Sequence, residues 1–355
     1  MNSEFWAGKK VFLTGHTGFK GSWLALWLQS MGAEVHGYAL AAPTSPNLYS
    51  VADIDTHMSS STIADLLDAQ SLNDALHQAQ PDIVFHLAAQ SLVRYSYDNP
   101  VETYAVNVMG SINLFEAVRN TPSVKAVVVV TSDKCYENRE WPWGYRENEA
   151  LGGYDPYSSS KGCVELVTSA YRQSFFAAAG VQVASARAGN VIGGGDWASD
   201  RILPDFFRAM DAGQVLQIRS PYAIRPWQHV LEPLSGYLSL GEMLLSEQQC
   251  SEAWNFGPND DDAQSVQWIV ETLGSMLPDM RWSVVEGEHR HEANFLKLDS
   301  SKARCELNWR PKWRLESALE RTVDWHVAWS KKGDMRAFSL LQLADYSAGT
   351  LMGEQ

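Results

Sequence analysis

The sequence predicts an α/β fold, in which a doubly wound parallel sheet is followed by a smaller, mixed α/β C-terminal domain. Through the first half of the chain, short apolar runs alternate with helical patterns, which favours a parallel sheet covered by helices on both faces. A glycine-rich segment follows the first apolar run directly, and glycines, prolines and arginines interrupt short elements after Gly189. We therefore expect one domain over 1–188 with about 230–260, and a second over about 189–229 with 261–355.

Ten elements of the first half follow from these patterns. Short apolar runs predict six strands, of which the third is the weakest: residues 10–14, 34–39, 58–64, 83–87, 124–131 and 181–187. Apolar spacing predicts four helices between them: residues 21–31, 71–80, 101–120 and 157–179. Gly32 is placed to stop the first helix, and Ser71 with Asp74 resembles a capping pair for the second.

The second half contains fewer clear elements. We expect a helix near 203–212 and strands near 214–219 and 281–285. An apolar helix at 231–245 and a strand at 253–256 are typical of a return to the main sheet.

Composition excludes several classes of partner. The net charge of −14 over 355 residues argues against a nucleic acid partner, because such binding depends on neutralised phosphates. No apolar run is long enough to cross a bilayer, and the first ten residues do not resemble a signal peptide. The four cysteines form no C-x-x-C pair and fit free thiols. We therefore expect a cytoplasmic protein without a membrane partner.

The glycine-rich segment Thr14-Gly-His-Thr-Gly-Phe-Lys-Gly21 predicts nucleotide binding and a Rossmann-type sheet. Gly15, Gly18 and Gly21 let a pyrophosphate approach the backbone at a helix N-terminus, with Thr17 and Phe19 beside it. The second strand ends without the acid that usually holds the ribose, and no arginine replaces it. These residues favour NAD over NADP without deciding between them.

Residues 65 and 66 follow the third predicted strand and are candidates for the adenosine end of the cofactor site. Asp65 is placed to contact the adenine, with Leu66 beside it. An ordinary loop aspartate explains the same residue equally well.

Tyr157 and Lys161 begin a predicted helix directly after Asp155-Pro156. Positions i and i+4 share a helix face, so the phenol and the ammonium point into the same cleft. A nearby cation stabilises the phenolate and prepares the tyrosine to accept an alcohol proton. An exposed helix start is the alternative, and the glycine segment upstream favours catalysis.

The chain resembles the extended short-chain dehydrogenase/reductase family and, within it, the nucleotide-sugar 4,6-dehydratases. The resemblance rests on these segments: 14–21, Leu87-Ala-Ala89, Asn107-Val-Met-Gly110, Thr131-Ser132 and Tyr157 with Lys161. It implies that Leu87, Ala88 and Ala89 line the cofactor and that Ser132 binds the substrate hydroxyl. It also implies NAD as cofactor. The two helices that contain Asn107 and Lys161 would form the interface of a homodimer or a dimer of dimers.

The pair Asp133-Lys134 distinguishes between reactions of the family. Dehydratases of this kind have an aspartate followed by a second proton-transfer residue, usually glutamate, where this chain has lysine. The resemblance implies a cytidine diphosphate sugar, oxidised at C4, dehydrated across C5–C6 and reduced at C6, with Asp133 as acid and Lys134 as the base at C5. A loop ion pair between the two side chains is the alternative at the level of the site. For the whole chain, the alternatives are another nucleotide-sugar 4,6-dehydratase, a 4-epimerase or decarboxylase, and a non-catalytic NAD sensor.

Loops rich in glycine and arginine are candidates for the substrate site. Arginine suits a diphosphate because its planar fork donates two hydrogen bonds at once. The resemblance implies that Asn190 and Arg225 contact the diphosphate, and Arg201 is a further candidate. Gln90 is expected at the sugar, and His291 is also expected in the substrate site.

Two further patterns suggest chemistry that we do not expect. His289 and His291 have the spacing of one strand face, but no cysteine or acidic cluster completes a metal site. Cys135 follows the proposed acid and base, but no histidine pattern supports a nucleophile there, and a buried small residue is favoured.

Overall fold

The computed structural model describes residues 2–246, 249–277, 280–285 and 295–349. Its main sheet contains seven parallel strands in the spatial order β3-β2-β1-β4-β5-β6-β11. The order reverses between β1 and β4, which is where ligands bind in open α/β sheets. These seven strands are β1 Lys10–Thr14, β2 Glu34–Ala39, β3 Ser60–Ile63, β4 Ile83–His86, β5 Ala126–Val130, β6 Gln182–Ala188 and β11 Ala253–Phe256.

Helices cover both faces of the sheet. Those of the first half and of the return to the sheet are α1 Ser3–Trp6, α2 Phe19–Ser30, α3 Leu48–Val51, α4 Ala69–Ala79, α5 Val93–Asp98, α6 Pro100–Tyr104, α7 Gly110–Arg119, α8 Pro156–Tyr171, α9 Ala177–Ala179 and α11 Leu231–Leu245. One face packs α2 and α11 into a large apolar cluster, and the other packs α4, α7 and α8 into a second. Strands β4 and β5 are buried along their whole length, as a sheet covered on both faces requires.

Two of the predicted helices are long runs with a local change of winding. A π-helical turn at Ala105–Met109 joins α6 to α7, and another at Arg172–Phe176 joins α8 to α9. The predicted helices 101–120 and 157–179 are therefore confirmed as continuous helical runs. Short 3₁₀ turns lie at Asp55–His57, Asp133–Cys135 and Asp260–Asp262.

A smaller lobe follows β6 and contains three two-stranded pairings, β7 with β10, β8 with β13, and β9 with β12. Its own apolar cluster includes Phe206, Ile218, Ile269 and Leu319. The remaining elements are β7 Val191–Ile192, α10 Ile202–Asp211, β8 Leu216–Ile218, β9 Ile224–Pro226, β10 Gln228–His229, β12 Ala263–Ser265, α12 Val266–Met276, β13 Trp282–Val284, α13 Ser301–Glu306, α14 Leu315–Ser330 and α15 Met335–Ala348.

Two features of the chain differ from the sequence patterns or go beyond them. The predicted capping pair of Ser71 and Asp74 is wrong, because α4 begins at Ala69 and its cap is the Asp68 side chain, which accepts from Ser71 N at 3.0 Å. Helix α15, which no pattern predicted, packs into the same apolar cluster as α2, where Tyr346 lies edge-on to Trp27. The division into two domains stays a prediction.

Within the described part of the chain, every helix is too short or too polar to span a bilayer.

Candidate functional site

A cleft of about 710 Å³ lies between the carboxyl ends of the sheet strands and the smaller lobe. It brings together residues that are far apart in the sequence. All predicted site residues but one line it: Gly15, Thr17, Gly18, Phe19, Gly21, Asp65, Leu66, Leu87, Ala88, Ala89, Gln90, Ser132, Asp133, Lys134, Tyr157, Lys161, Asn190, Arg201 and Arg225. The exception, His291, lies outside the described residues.

The glycine-rich loop is packed too closely for side chains at two of its glycines. Gly15 has φ +79°, and a Cβ there would lie 2.7 Å from the backbone nitrogen of Ala88. A Cβ on Gly21 would lie 2.0 Å from the carbonyl oxygen of Gly15. Thr14 Oγ1 accepts from the backbone N–H groups of Leu87 and Ala88, both at 3.1 Å. The loop is thus fixed against the segment that follows β4.

The loop presents the N-terminus of α2 to the cleft. Gly18 is the N-cap, and among the described residues no side chain makes a capping hydrogen bond to this 12-residue helix. Such an end binds anions through its N–H groups and its dipole. Thr17 Oγ1 donates to the Leu40 carbonyl at 2.8 Å, which ties the loop to the end of β2. A pyrophosphate of a dinucleotide fits this bare helix end.

The residues at the end of β2 and after it that line the adenosine end of the cleft carry no charge. Its lining there consists of Ala39, Leu40, Ala41, Pro43, Thr44, Asn47 and Leu48. Asp65 also lines the cleft, but its Oδ1 accepts from Leu67 N at 2.9 Å, and its carbonyl accepts from the Tyr38 hydroxyl at 2.8 Å. The carboxylate therefore holds its own turn, and its contact with adenine stays a prediction.

The helix start that carries Tyr157 and Lys161 is fixed by Asp155. The Asp155 carboxylate accepts from Ser158 N at 2.9 Å and from the Ser158 hydroxyl at 2.6 Å, which caps α8. Tyr157 is 8% exposed, and burial raises its pKa to about 12 while a hydrogen bond with Ser132 opposes that change. Lys161 Nζ lies 3.4 Å from the Val130 carbonyl, and burial lowers its pKa to about 8.

Ser132 and Asp133 form a compact turn directly after β5. Ser132 Oγ donates to Asp133 Oδ1 at 2.9 Å and accepts from Lys134 N at 3.2 Å, so it caps the short 3₁₀ turn. Asp133 is 2% exposed, and within the described part of the chain its Oδ2 has no hydrogen-bond partner. Burial raises the pKa of Asp133, and the charge of Lys134 partly opposes the change. A carboxyl in these surroundings can hold a proton and deliver it.

A buried ion pair lies behind this turn. Arg187 donates twice to Glu165, from Nε to Oε1 and from Nη2 to Oε2, both at 2.9 Å, and both side chains are 3% exposed. Glu165 also accepts from Thr131 Oγ1 at 2.5 Å and Ser185 Oγ at 2.6 Å. Arg187 Nη1 donates to the Tyr136 hydroxyl at 2.7 Å. The pair therefore holds β5, β6 and the residues on both sides of Ser132 and Asp133.

The three predicted substrate residues of the smaller lobe lie on the same wall of the cleft. Arg201 Nη1 pairs with Asp196 Oδ2 at 2.8 Å, and its Nη2 donates to Ser91 Oγ at 3.2 Å. Arg225 is 6% exposed, and its charge opposes the burial-raised pKa of Asp133. Asn190 follows β6, where its carbonyl accepts from Gln228 N at 3.0 Å. All three line the cleft.

Gln90 lines the cleft, but its side chain makes hydrogen bonds within the protein. Its Nε2 donates to Thr103 Oγ1 at 2.9 Å, and its Oε1 accepts from Leu92 N at 2.5 Å. Asn107 bonds to both backbone groups of Gln90 and donates to Ser160 Oγ at 2.8 Å, which joins this loop to α8. A contact between Gln90 and the sugar stays a prediction.

Sequence reasoning missed Lys20, which lines the cleft from the first turn of α2. Burial lowers its pKa to about 7, and the charges of Arg201 and Lys161 act in the same direction. The sequence signal for it was a lysine inside the glycine-rich segment, at the start of an otherwise apolar helix.

Cys135 is fully buried and burial raises its pKa well above the ordinary value, which removes it as a nucleophile. Among the described residues, no three His, Cys, Asp or Glu side chains form a group that could hold a metal.

The fold and the cleft define a Rossmann-type α/β protein that holds a dinucleotide beside a second ligand. The family described as GDP-mannose 4,6 dehydratase matches residues 12–322. The chain therefore belongs to the GDP-mannose 4,6 dehydratase family.

Relatives within and around this family act on several nucleotide sugars. A CDP-glucose 4,6-dehydratase from Salmonella typhimurium is 54% identical over 357 residues, which cover 99% of this chain and 99% of the relative. A dTDP-glucose 4,6-dehydratase from Shigella flexneri is 25% identical and covers 90% of this chain and 93% of its own. In fold, the chain is similar to a dTDP-glucose 4,6-dehydratase from Bacillus anthracis in complex with NAD, with a TM-score of 0.75, 23% identity and coverage of 90% and 96%.

Proposed function

We propose that this chain is a CDP-glucose 4,6-dehydratase that uses NAD and converts CDP-D-glucose to CDP-4-dehydro-6-deoxy-D-glucose. The observation that carries the proposal is the convergence of Ser132, Asp133, Lys134 and Tyr157 in one cleft beside a bare helix N-terminus. The 54% identity to a CDP-glucose 4,6-dehydratase over the whole chain supports the substrate. When bound at the glycine-rich loop, NAD would supply the hydride acceptor for oxidation at C4 of the sugar and, once reduced, the hydride donor for C6.

The first step is removal of the proton from the C4 hydroxyl. Tyr157 is the base, and Ser132 holds the same hydroxyl through its side-chain oxygen. Burial raises the pKa of Tyr157, so cationic neighbours are needed to stabilise its phenolate form. Lys161 supplies one positive charge from the next turn of α8, and Arg201 also lowers the pKa of Tyr157.

The second step is elimination of water across C5 and C6. A ketone at C4 acidifies the proton at C5, and Lys134 removes it from the partly exposed edge of the cleft. Asp133 gives its proton to the departing C6 hydroxyl, so a neutral water leaves. The buried carboxyl is suited to this role because burial raises its pKa.

The diphosphate of the substrate is held by the smaller lobe. Arg225, Arg201 and Asn190 line the same cleft as Tyr157, and the two guanidinium groups supply the positive charge that a diphosphate needs. Asp196 Oδ2 pairs with Arg201 Nη1 at 2.8 Å. Substrate binding adds a second anion to this arginine.

The assembly we propose is a homodimer or a dimer of dimers. Large apolar side chains remain exposed on the two long helical runs: Val101 (82%) and Met109 (49%) on one, Leu166 (61%) and Phe175 (40%) on the other. Burying such residues against a second copy is favourable, by roughly 25 cal/mol for each Å² of apolar surface.

The location we propose is the cytoplasm. The four cysteines are free thiols, which supports it.

A substrate panel tests the proposed function. The purified chain is incubated with NAD and, separately, with CDP-, UDP-, dTDP- and GDP-linked hexoses, and the products are weighed by mass spectrometry. We expect a product lighter by one water from CDP-glucose. A product of unchanged mass with inverted C4 would instead identify a 4-epimerase, and conversion of another nucleotide sugar alone would reject the cytidine substrate.

A further inference from the structure

The outer end of the cleft contains side chains that the proposed mechanism does not use. Helix α10 carries Arg201 as its N-cap and Asp205 one turn later, with Asp205 N donating to the Arg201 carbonyl at 2.9 Å. Residues four apart share a helix face and lie about 6 Å apart along the axis. Both line the cleft, and the charge of Arg201 reaches Tyr157. Asp205 therefore lies on the same wall, farther from the catalytic centre.

The order of residues from Tyr157 to Arg201 to Asp205 matches the order of the parts of a nucleotide sugar bound along the cleft. Its sugar is at Tyr157 and its diphosphate is at the arginines, so its base lies beyond them. At that end of the cleft, α10 faces β8 and the residues after it, among them Ile218, Arg219 and Ser220. This region is the place for the base.

The Asp205 carboxylate is fixed in position and retains an oxygen for a ligand. Arg208 pairs with Asp205 Oδ1 and is itself anchored, because it donates to the carbonyls of Trp197 at 2.9 Å and Ala198 at 3.2 Å. Among the residues that the structure describes, no hydrogen bond engages Asp205 Oδ2. The neighbouring carboxylate of Asp200, in contrast, pairs with Arg94 at 2.7 Å and Arg219 at 3.4 Å.

The pyrimidine bases differ at the position that a carboxylate can read. Cytosine has an exocyclic amine at C4, which donates hydrogen bonds, whereas uracil and thymine have a carbonyl there, which accepts them. An ionised carboxylate accepts only. The Asp205 side chain is 35% exposed, and its partial burial raises the pKa of its carboxyl, so a donor supplied by the ligand stabilises the ionised form.

We infer that Asp205 accepts a hydrogen bond from the cytosine amine and thereby selects CDP-glucose over UDP-glucose and dTDP-glucose. The inference rests on the proposed function. It assigns to one carboxylate the preference for the base, separately from the chemistry at Tyr157.

The test compares kcat/KM on CDP-glucose, UDP-glucose and dTDP-glucose for the unaltered chain, Asp205→Asn and Asp200→Asn. An amide both accepts and donates, so Asp205→Asn is expected to lose at least about tenfold on CDP-glucose and to gain on the other two substrates. Asp200→Asn is the matched control. It makes the same change at the neighbouring carboxylate, which already pairs with Arg94 and Arg219, so it is expected to leave the ratio between substrates within about threefold.

The outcomes separate the inference from the proposed function. If the unaltered chain does not convert CDP-glucose, the proposed function is rejected. If it prefers CDP-glucose and Asp205→Asn keeps that preference, or loses all three substrates equally, Asp205 does not read the base. Should Asp205→Asn fail to fold, Asp205→Ser, whose hydroxyl also both accepts and donates, replaces it with the same expected loss of preference.

Discussion

Ser132 Oγ donates to Asp133 Oδ1 at 2.9 Å, while Asp133 Oδ2 is buried and, among the described residues, has no hydrogen-bond partner. One oxygen of the carboxyl is thus held by Ser132, while the other is enclosed without a partner among those residues. An unsatisfied buried oxygen costs about 1–3 kcal/mol, so it marks a group that a ligand or a proton completes. In the proposed mechanism, that proton goes to the departing hydroxyl of C6.

Asp133→Asn tests this role. The amide keeps the shape of the side chain and accepts from Ser132, but it has no proton to transfer. We expect oxidation at C4 to continue and overall turnover to fall by 10²–10⁴-fold, in line with the loss of a general acid. NADH absorbance in a single turnover would rise and persist. Tyr157→Phe is the control that forms no NADH, and an Asp133→Asn variant without NADH would place Asp133 in the first step.

Lys134→Ala tests the base at C5. Because Tyr157 and Lys161 are untouched, NADH is expected to form at the normal rate, while solvent deuterium no longer enters C5 and no dehydrated product appears. Deuterium at C5 is read by NMR of the recovered nucleotide sugar. Loss of NADH formation together with elimination would remove Lys134 from the assigned role.

Lys161→Met tests the electrostatic cost of the buried ammonium. Burial lowers the pKa of Lys161 from 10.5 to about 8, so the unfolded chain binds more protons than the folded chain between these pH values. The penalty is therefore fully present below pH 8 and disappears as the pH rises to 10.5. We expect Lys161→Met to increase the free energy of unfolding at pH 7 by roughly 1–3 kcal/mol and to be inactive.

Urea unfolding at pH 7 and at pH 10.5 measures the effect of Lys161→Met. The gain is expected to vanish at the higher pH. A gain that is equal at both pH values would mean that better apolar packing, rather than removal of a buried charge, stabilises the variant.

Arg187→Met tests the buried ion pair of Arg187 and Glu165, behind the turn that Ser132 and Asp133 form. The variant leaves Glu165 buried without its bidentate partner, and breaking such a pair costs about 3–5 kcal/mol. Chemical denaturation measures this loss. The double variant Arg187→Met with Glu165→Leu removes both charges and is expected to recover most of the stability. A double variant as unstable as the single one would contradict the electrostatic explanation.

The sheet and the main catalytic residues were predictable because their signals are local. Most of the six sheet strands predicted in the first half are apolar runs that are buried in the sheet, whereas the serine-rich third strand, Ser60–Ile63, is mostly exposed and was the weakest prediction. Tyr157 and Lys161 are separated by one helical turn. The strands Val191–Ile192 and Gln228–His229 were not predictable, since two residues carry no periodicity. They form only because distant segments of the smaller lobe meet.

Other parts of the site depend on contacts that no pattern encodes. The hydrogen bonds of Gln90 to Thr103 and Leu92 arise from the path of a loop. The lowered pKa of Lys20 arises from its burial and from Arg201 and Lys161, which are far away in the sequence. Helix α15 packs on α2 through Tyr346, whose hydroxyl donates to Glu232 at 2.6 Å, and this pairing joins residues 114 positions apart.

The most direct test of the central claim is incubation of the purified chain with NAD and CDP-glucose in heavy water, followed by mass spectrometry and NMR of the product. Dehydration through a C4 ketone predicts a CDP-sugar that has lost one water and carries one solvent deuteron at C5. Recovery of CDP-glucose without deuterium, from protein demonstrated to bind both NAD and CDP-glucose, would contradict the account.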